Sequence, residues 1–284
     1  MQTLSVVIPT LGGVCLTETL RALVAHSQPP DEILVCLPFD LVSQVSVLSH
    51  PTVHVIATPT YGQVAQRAYG LSRATGDFVL QLDDDVIFPR DQLATLKSEL
   101  IKLGPQNVVC PVFRLAPNNL PIRFFNKGIL GIFANIYESL ITGASWGLSK
   151  MGRFCPAGMA YWVDEEFCGQ EPFQTDWLPG GCVLSFRSDL IVDDYYPFKG
   201  KSYSEDLIHS ILRKRKGISH WVTPRAVCMI GPGVVHNDIS SIMAAKQAHS
   251  YVVTMINGSQ WRLRLWYFLF ILKYKVRYFF KRLK

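Results

Sequence analysis

No stretch of this 284-residue chain approaches the ~18 uninterrupted apolar residues of a bilayer-spanning helix, so no such helix is expected. No Cys-x-x-Cys pair occurs. The seven cysteines (15, 36, 110, 155, 168, 182 and 228) are odd in number and scattered, as free thiols in a reducing compartment are, which argues against a zinc site or a disulfide framework. No Gly-x-Gly-x-x-Gly follows an apolar run, which disfavours a NAD enzyme. The start, MQTLSVVIPT, lacks the basic opening and long apolar region of a signal peptide, so a cytoplasmic location is expected. Internal repeats and low-complexity tracts are absent as well. Charged residues are scarce, at 18% against 49% hydrophobic, a balance too apolar for disorder and suited to a globular α/β chain.

Acidic residues are missing altogether from one region. From Trp261 onward there are eight cations and no acid, so the formal charge of +6 belongs to the tail and the rest of the chain carries −2. A near-neutral body offers nucleic acid no matching surface, and no nucleic-acid partner is expected.

Within the first hundred residues, short β-branched runs at 4–8, 32–36, 53–57 and 78–82 alternate with helical spacing at 16–25 and 62–74. Residues 39–48 are compatible with a further helix. Such alternation predicts βαβ units and a mostly parallel, Rossmann-like sheet flanked by helices, whose ligands sit beyond the carboxyl ends of the strands. In the middle, residues 124–148 are apolar, helix-compatible and sparsely charged. They are expected to form a core helix, with a membrane- or acceptor-facing helix as the competing reading. Residues 204–216 make a well-signalled helix: Ser204 is suited to cap it, Glu205 and Asp206 occupy its positive first turn, and Arg213 to Lys216 crowd the end before Gly217.

The segment GDFVLQLDDDV, residues 76–86, delivers three adjacent carboxylates at a strand end. Asp83, Asp84 and Asp85 repel one another unless water or a cation lies among them. A hard divalent ion with sites open to phosphate oxygens is the natural cation, and a solvated acidic turn is the bland alternative.

These features, in this order, resemble the inverting family-2 glycosyltransferases of the GT-A fold. The resemblance rests on Val7-Ile8-Pro9-Thr10, on Pro30-Asp31-Glu32-Ile33-Leu34-Val35, and on Gly62, Arg67 and Gly70. It continues through Ala74-Thr75-Gly76-Asp77 into Asp83-Asp84-Asp85, and resumes at Trp177-Leu178-Pro179-Gly180-Gly181 and Ser204-Glu205-Asp206. It implies a nucleotide-sugar donor held by Pro9, Thr10, Arg67, Asp83 and Asp84. A divalent metal, Mn2+ or Mg2+, would be held by Asp85 with Asp83. It further implies Asp206 as the base that deprotonates a carbohydrate or lipid-linked acceptor, beside an orienting Glu205. A helix N-terminus is expected to hold Asp206 rigidly and keep it ionised, although both acids would also simply complement the helix dipole. Trp177, Gly180 and Gly181 are expected to approach sugar and acceptor, with a tight turn as the alternative. His236 is a candidate late metal ligand or a structural histidine. The implied activity is inverting sugar transfer in cell-surface polysaccharide or glycolipid synthesis.

One block departs from the family. Where relatives carry Val-Asp-Asp-Gly-Ser after the second strand, this chain has Cys36-Leu37-Pro38-Phe39-Asp40, so the base-reading carboxylate is missing unless Asp40 takes its place. That departure motivates a competing reading, a non-catalytic membrane-associated nucleotide-sugar-binding scaffold. A sugar-phosphate nucleotidyltransferase should carry a basic residue in the glycine loop after the first strand, and residues 9–14 have none.

The expected organisation is a GT-A domain over residues 1–245, donor-binding to residue 115 and acceptor-side from 116, followed by a helical tail over 246–284. In that tail Leu265, Leu269, Leu272, Val276, Phe280 and Leu283 recur at helical spacing, flanked by Lys273, Lys275, Arg277, Lys281, Arg282 and Lys284. An aromatic-rich apolar stripe between long cations suits the headgroup boundary of the inner membrane face, where the protein would sit peripherally. Packing onto its own domain and pairing with a partner subunit are the alternatives.

Overall fold

The computed structural model describes residues 2–122, 128–231 and 238–282, with side chains through Lys275. His236 therefore lies outside the described residues, as do the side chains of Val276, Arg277, Phe280, Lys281, Arg282, Leu283 and Lys284.

The chain forms strands β1 (Leu4–Pro9), β2 (Glu32–Pro38), β3 (Val53–Thr58), β4 (Phe78–Leu82), β5 (Val86–Ile87), β6 (Asn107–Leu115), β7 (Leu120–Pro121), β8 (Phe173–Thr175), β9 (Cys182–Phe186) and β10 (Ser219–Ile230). Its helices are α1 (Leu16–Val24), α2 (Gln63–Leu71), α3 (Gln92–Leu103), α4 (Gly128–Thr142), α5 (Glu205–Arg215), α6 (Ile239–Met255) and α7 (Gln260–Arg282). Of the helix expected over residues 39–48, only a single 3-10 turn, Phe39–Leu41, exists.

One sheet runs β3-β2-β1-β4-β9-β6-β10-β5, with β7 on β6 and β8 on β10. Its first four strands pair in parallel, the βαβ arrangement read from the alternating pattern. Every residue of β1 and β4 is buried, which is why both read as unbroken apolar runs rather than alternating ones. Beyond β4 the directions mix, because β9 runs antiparallel to both β4 and β6. That reversal brings the 177–181 loop, which precedes β9, to the carboxyl end of β4.

The structure divides into two compact units. The first comprises Met1–Arg123 with Val163–Val235 and holds the whole sheet. The second comprises Phe124–Trp162 with His236–Lys284 and is helical, built from α4, α6 and α7. In it, Ile242, Val253, Leu263 and Tyr267 form a buried cluster that joins α6 to the first half of α7. The inward face of α7 is thus Leu263 and Tyr267, while Phe268 and Leu272 are exposed.

The expectation of a core helix over residues 124–148 is overturned. In α4 only Gly131 and Thr142 are buried, and its large apolar side chains face outward. Apolar composition identified the helix but could not say which medium its apolar side meets.

Candidate active site

Asp83, Asp84 and Asp85 follow β4 directly, and the three carboxylates have different surroundings. Asp84 turns back toward β1: it accepts the Thr10 hydroxyl, while its carbonyl accepts the Thr19 hydroxyl at 2.9 Å. Thr10, one residue past Pro9 at the end of β1, is buried, and its amide donates to the Cys36 carbonyl at 3.1 Å. Asp83 points the other way. Its Oδ1 accepts from Arg67 Nη2 at 3.0 Å and Gln63 Nε2 at 2.9 Å. Gln63 and Arg67 are four apart on α2, so one helix face supplies both donors. Asp85 is exposed and has no side-chain partner among the described residues. Partial burial and the neighbouring Asp84 raise its pKa.

Arg67 is 1% exposed and joins two elements. Besides Asp83 it reaches Glu205, at the start of α5, through Nη1 to Oε1 at 2.7 Å. Burial works against its charge, but the Glu205 and Asp83 carboxylates more than compensate and raise its pKa above that of an ordinary guanidinium. The second oxygen of Glu205 accepts from the Tyr195 hydroxyl at 2.6 Å, and the Tyr195 ring stacks on buried, neutral His209 with centroids 4.5 Å apart. Both Glu205 oxygens are therefore taken by permanent partners.

The 177–181 loop closes over this network. Gln81 on β4 donates to the Gly180 carbonyl at 2.7 Å, the Asp83 amide donates to the Gly181 carbonyl at 2.9 Å, and the Leu178 amide donates to Ser210 Oγ on α5 at 3.0 Å. Gly180 is required by space, and Gly181 has little room to spare. A Cβ on Gly180 would lie 2.3 Å from Glu205 Oε1, and one on Gly181 would lie 3.0 Å from Asp83 Oδ2. Trp177 is buried at the start of the loop.

Asp206 is the next residue after Glu205 and is only partly exposed. Its Oδ1 accepts the Leu207 amide at 2.9 Å. Burial first, then the adjacent Glu205, push its pKa up to about 7. The expectation that the helix start keeps Asp206 fully ionised is corrected accordingly: desolvation and a like charge outweigh the first-turn dipole. Ser204 is at the capping position but has φ 56° and no side-chain capping bond, contrary to its expected role.

Of the residues singled out in the sequence, Pro9, Thr10, Arg67, Asp83, Asp84, Asp85, Gly180, Gly181, Glu205 and Asp206 converge on the carboxyl edge of the parallel strands. Tyr195, Gln63 and Gln81 are additions. Gln63 was legible as the residue one turn before Arg67, whereas Tyr195, in an irregular acidic segment, left no periodic signal. Asp40, the only acid close after β2, accepts the Tyr61 hydroxyl at the foot of α2.

Among the described residues no group of three or more His, Cys, Asp or Glu side chains is arranged to hold a metal. A site of one or two carboxylates completed by phosphate oxygens and water does not need such a group. Exposed Asp85, with Asp83 beside it, fits that kind of oxygen-ligated cation.

Residues 5–143 match the glycosyl transferase family 2 profile. No curated protein matches the chain by sequence. Among solved structures, GalNAc-T7 with UDP, GalNAc and Mn2+ superposes with a TM-score of 0.56 at 14% identity, covering 82% of this chain and 44% of that one. The chain thus spans under half the length of GalNAc-T7. TarS 1-349 of S. aureus gives a TM-score of 0.49 at 15% identity, covering 89% of this chain and 65% of TarS. Glucosyl-3-phosphoglycerate synthase from Mycobacterium tuberculosis gives 0.44 at 15%, with coverages of 91% and 81%. The profile match takes in β1 through the Asp83–Asp85 run, so residues 5–143, just under half of the chain, belong to glycosyltransferase family 2, in a chain whose fold is GT-A.

Proposed function

We propose that this protein transfers a sugar from a nucleoside-diphosphate sugar to an acceptor hydroxyl in one inverting displacement, with Asp206 as the base. The observation that carries this reading is the pair of neighbouring carboxylates at the start of α5. Glu205 is immobilised by Arg67 and Tyr195, whereas Asp206 is kept near neutrality, the condition in which a carboxylate both accepts and releases a proton readily. A non-catalytic scaffold has no use for such a group.

Asp85, with Asp83, would hold a divalent ion, Mn2+ or Mg2+, which when bound neutralises the diphosphate leaving group. Manganese and UDP in the GalNAc-T7 structure support that choice of ion and donor. Arg67 and Gln63 fix the rotamer of Asp83 and thereby orient it toward the donor. The backbone of Gly180 and Gly181 lets sugar and acceptor approach closely, and Thr10 holds the carboxylate of Asp84 against the end of β1. Glu205 is a positioning residue. Its two oxygens are each held by one of these partners, and its charge raises the basicity of Asp206. The carbohydrate or lipid-linked acceptor belongs to cell-surface polysaccharide or glycolipid synthesis on the inner membrane face, which the cation-rich tail helix α7 contacts. Among the described residues no helix is long and apolar enough to cross a membrane.

Asp85→Ala should lose manganese-dependent nucleoside-diphosphate binding while keeping the wild-type melting temperature. Titration calorimetry that finds unchanged affinity removes Asp85 from the metal site.

Transfer by the wild type should rise with pH through about 7 as Asp206 ionises. Asp206→Asn should bind donor normally and transfer at least ~100-fold more slowly. A full rate in that variant would send the search for the base elsewhere.

Stability should move the opposite way. A folded-state pKa raised above the unfolded value means that the native state holds the proton longer, so this group lowers stability as pH climbs from about 4 to 7. Asp206→Asn should therefore unfold at higher denaturant than wild type at pH 8, by on the order of a few kcal/mol, with the difference closing toward pH 4. Equal midpoints at pH 8 would show that Asp206 is not desolvated.

For the tail, the full chain should float with anionic liposomes, and a chain ending at Ser259 should bind markedly less. Equal flotation of the two would exclude the tail as an anchor.

A further inference from the structure

α4 is built inside out. At 100° per residue, Ile129, Leu130, Ile132, Phe133, Ile136 and Leu140 fall within an arc of about 160°. All six are exposed, Leu130 by 76% and Ile129 by 72%. The opposite face carries the small and polar residues Gly131, Ala134, Asn135, Glu138, Ser139 and Thr142, and it is this face that turns inward. A helix on the surface of a water-soluble domain has the reverse arrangement.

Its charge is disposed of with equal care. Glu138, the only ionisable acid of α4, is paired with Lys150, which also donates to Asn135 Oδ1 at 2.7 Å. Lys150 is itself buried, so this pair lies on the inward side and leaves the outward face without charge. The end of α4 is tied to α7: Arg262 Nη1 donates to the Leu140 carbonyl at 2.5 Å and to the Ser139 carbonyl at 3.4 Å. On α7 itself, Phe268 and Leu272 are exposed, as are Arg264, Lys273 and Lys275.

We propose that α4 is a lipid-docking helix, whose outward face enters the headgroup–acyl boundary of an anionic bilayer alongside the cations of α7. Charge decides the occupant. From Trp261 onward the chain has eight cations and no acid, a composition that an anionic lipid surface complements and that a second copy of the same basic helix would repel. At 15 residues α4 is too short to span a bilayer, so it lies in the interface plane. This goes beyond the tail reading by giving the apolar contribution to a separate element, and it does not depend on sugar transfer.

The test compares three full-length proteins on vesicles of phosphatidylcholine with roughly 30% phosphatidylglycerol, the anionic component. These are the wild type, the triple variant Ile129→Ser/Phe133→Ser/Leu140→Ser, and Lys273→Gln/Lys275→Gln. The triple variant should partition at least ~10-fold less than wild type, with unchanged circular dichroism and unchanged nucleoside-diphosphate binding. That last measurement separates loss of docking from failure of the donor-site reading. Wild-type partitioning by the triple variant, with loss confined to the lysine variant, would put docking on α7 alone and overturn the inference. Sedimentation without lipid supplies the second check. A monomeric wild type supports a lipid occupant, whereas a dimer that the triple variant dissociates would assign the face to a second copy and overturn it.

Discussion

The candidate site depends on one buried cation. The Arg67 guanidinium lies between Asp83, at the end of β4, and Glu205, at the start of α5, residues 122 positions apart in sequence. Stranding such a charge costs about 3–5 kcal/mol, so the two carboxylates and the arginine form or fail together. Their mutual dependence fixes α5 against the sheet in one register. It also sorts four acids into roles before any substrate arrives. Both oxygens of Glu205 and one oxygen of Asp83 are engaged by permanent donors, whereas Asp85, Asp206 and the other oxygen of Asp83 retain lone pairs for something external.

The same clamp explains why α5 begins badly. Ser204 is in the left-handed region at φ 56° and makes no capping bond, although a serine cap ordinarily contributes about 1 kcal/mol. A non-glycine residue in that region costs a comparable amount. Local preference is overridden where Glu205 reaches Arg67 and Tyr195 and Asp206 accepts the Leu207 amide. Conflict between local and global preference, concentrated immediately before the two acids, is what a functional helix start is expected to show.

Much of this was legible in the sequence, and the limits have physical causes. β1, β2, β3 and β4 were read within two residues of their ends: β1, β2 and β4 because strands buried on both faces leave unbroken apolar runs between breakers, and the largely unburied β3 through its β-branched residues. The Asp83–Asp85 and Glu205–Asp206 groups stood out through charge density at element ends. The division of labour among those acids did not, because it is set by partners distant in sequence: Thr10 for Asp84, Gln63 and Arg67 for Asp83, Tyr195 for Glu205. The order of ionisation was hidden for the same reason. A first-turn dipole can be read from a sequence, but the desolvation that outweighs it at Asp206 is a property of the packed structure.

α4 marks a different limit. A periodic apolar stripe establishes that a helix has two unlike faces, and burial in a protein core is the usual destination of the apolar one. Periodicity contains no information about which medium lies on each side. The distinguishing signal was on the other face, where Asn135, Glu138, Ser139 and Thr142 align with Gly131 and Ala134. A row of small residues and hydrogen-bonding groups is as acceptable to bulk water as any polar face, but its small size also permits close packing against a neighbour that supplies a lysine, and that is the arrangement found. When the polar face of a helix is the one with partners inside the protein, its apolar face is left to a medium outside it. The cations on the neighbouring α7 then indicate the sign of that medium's charge.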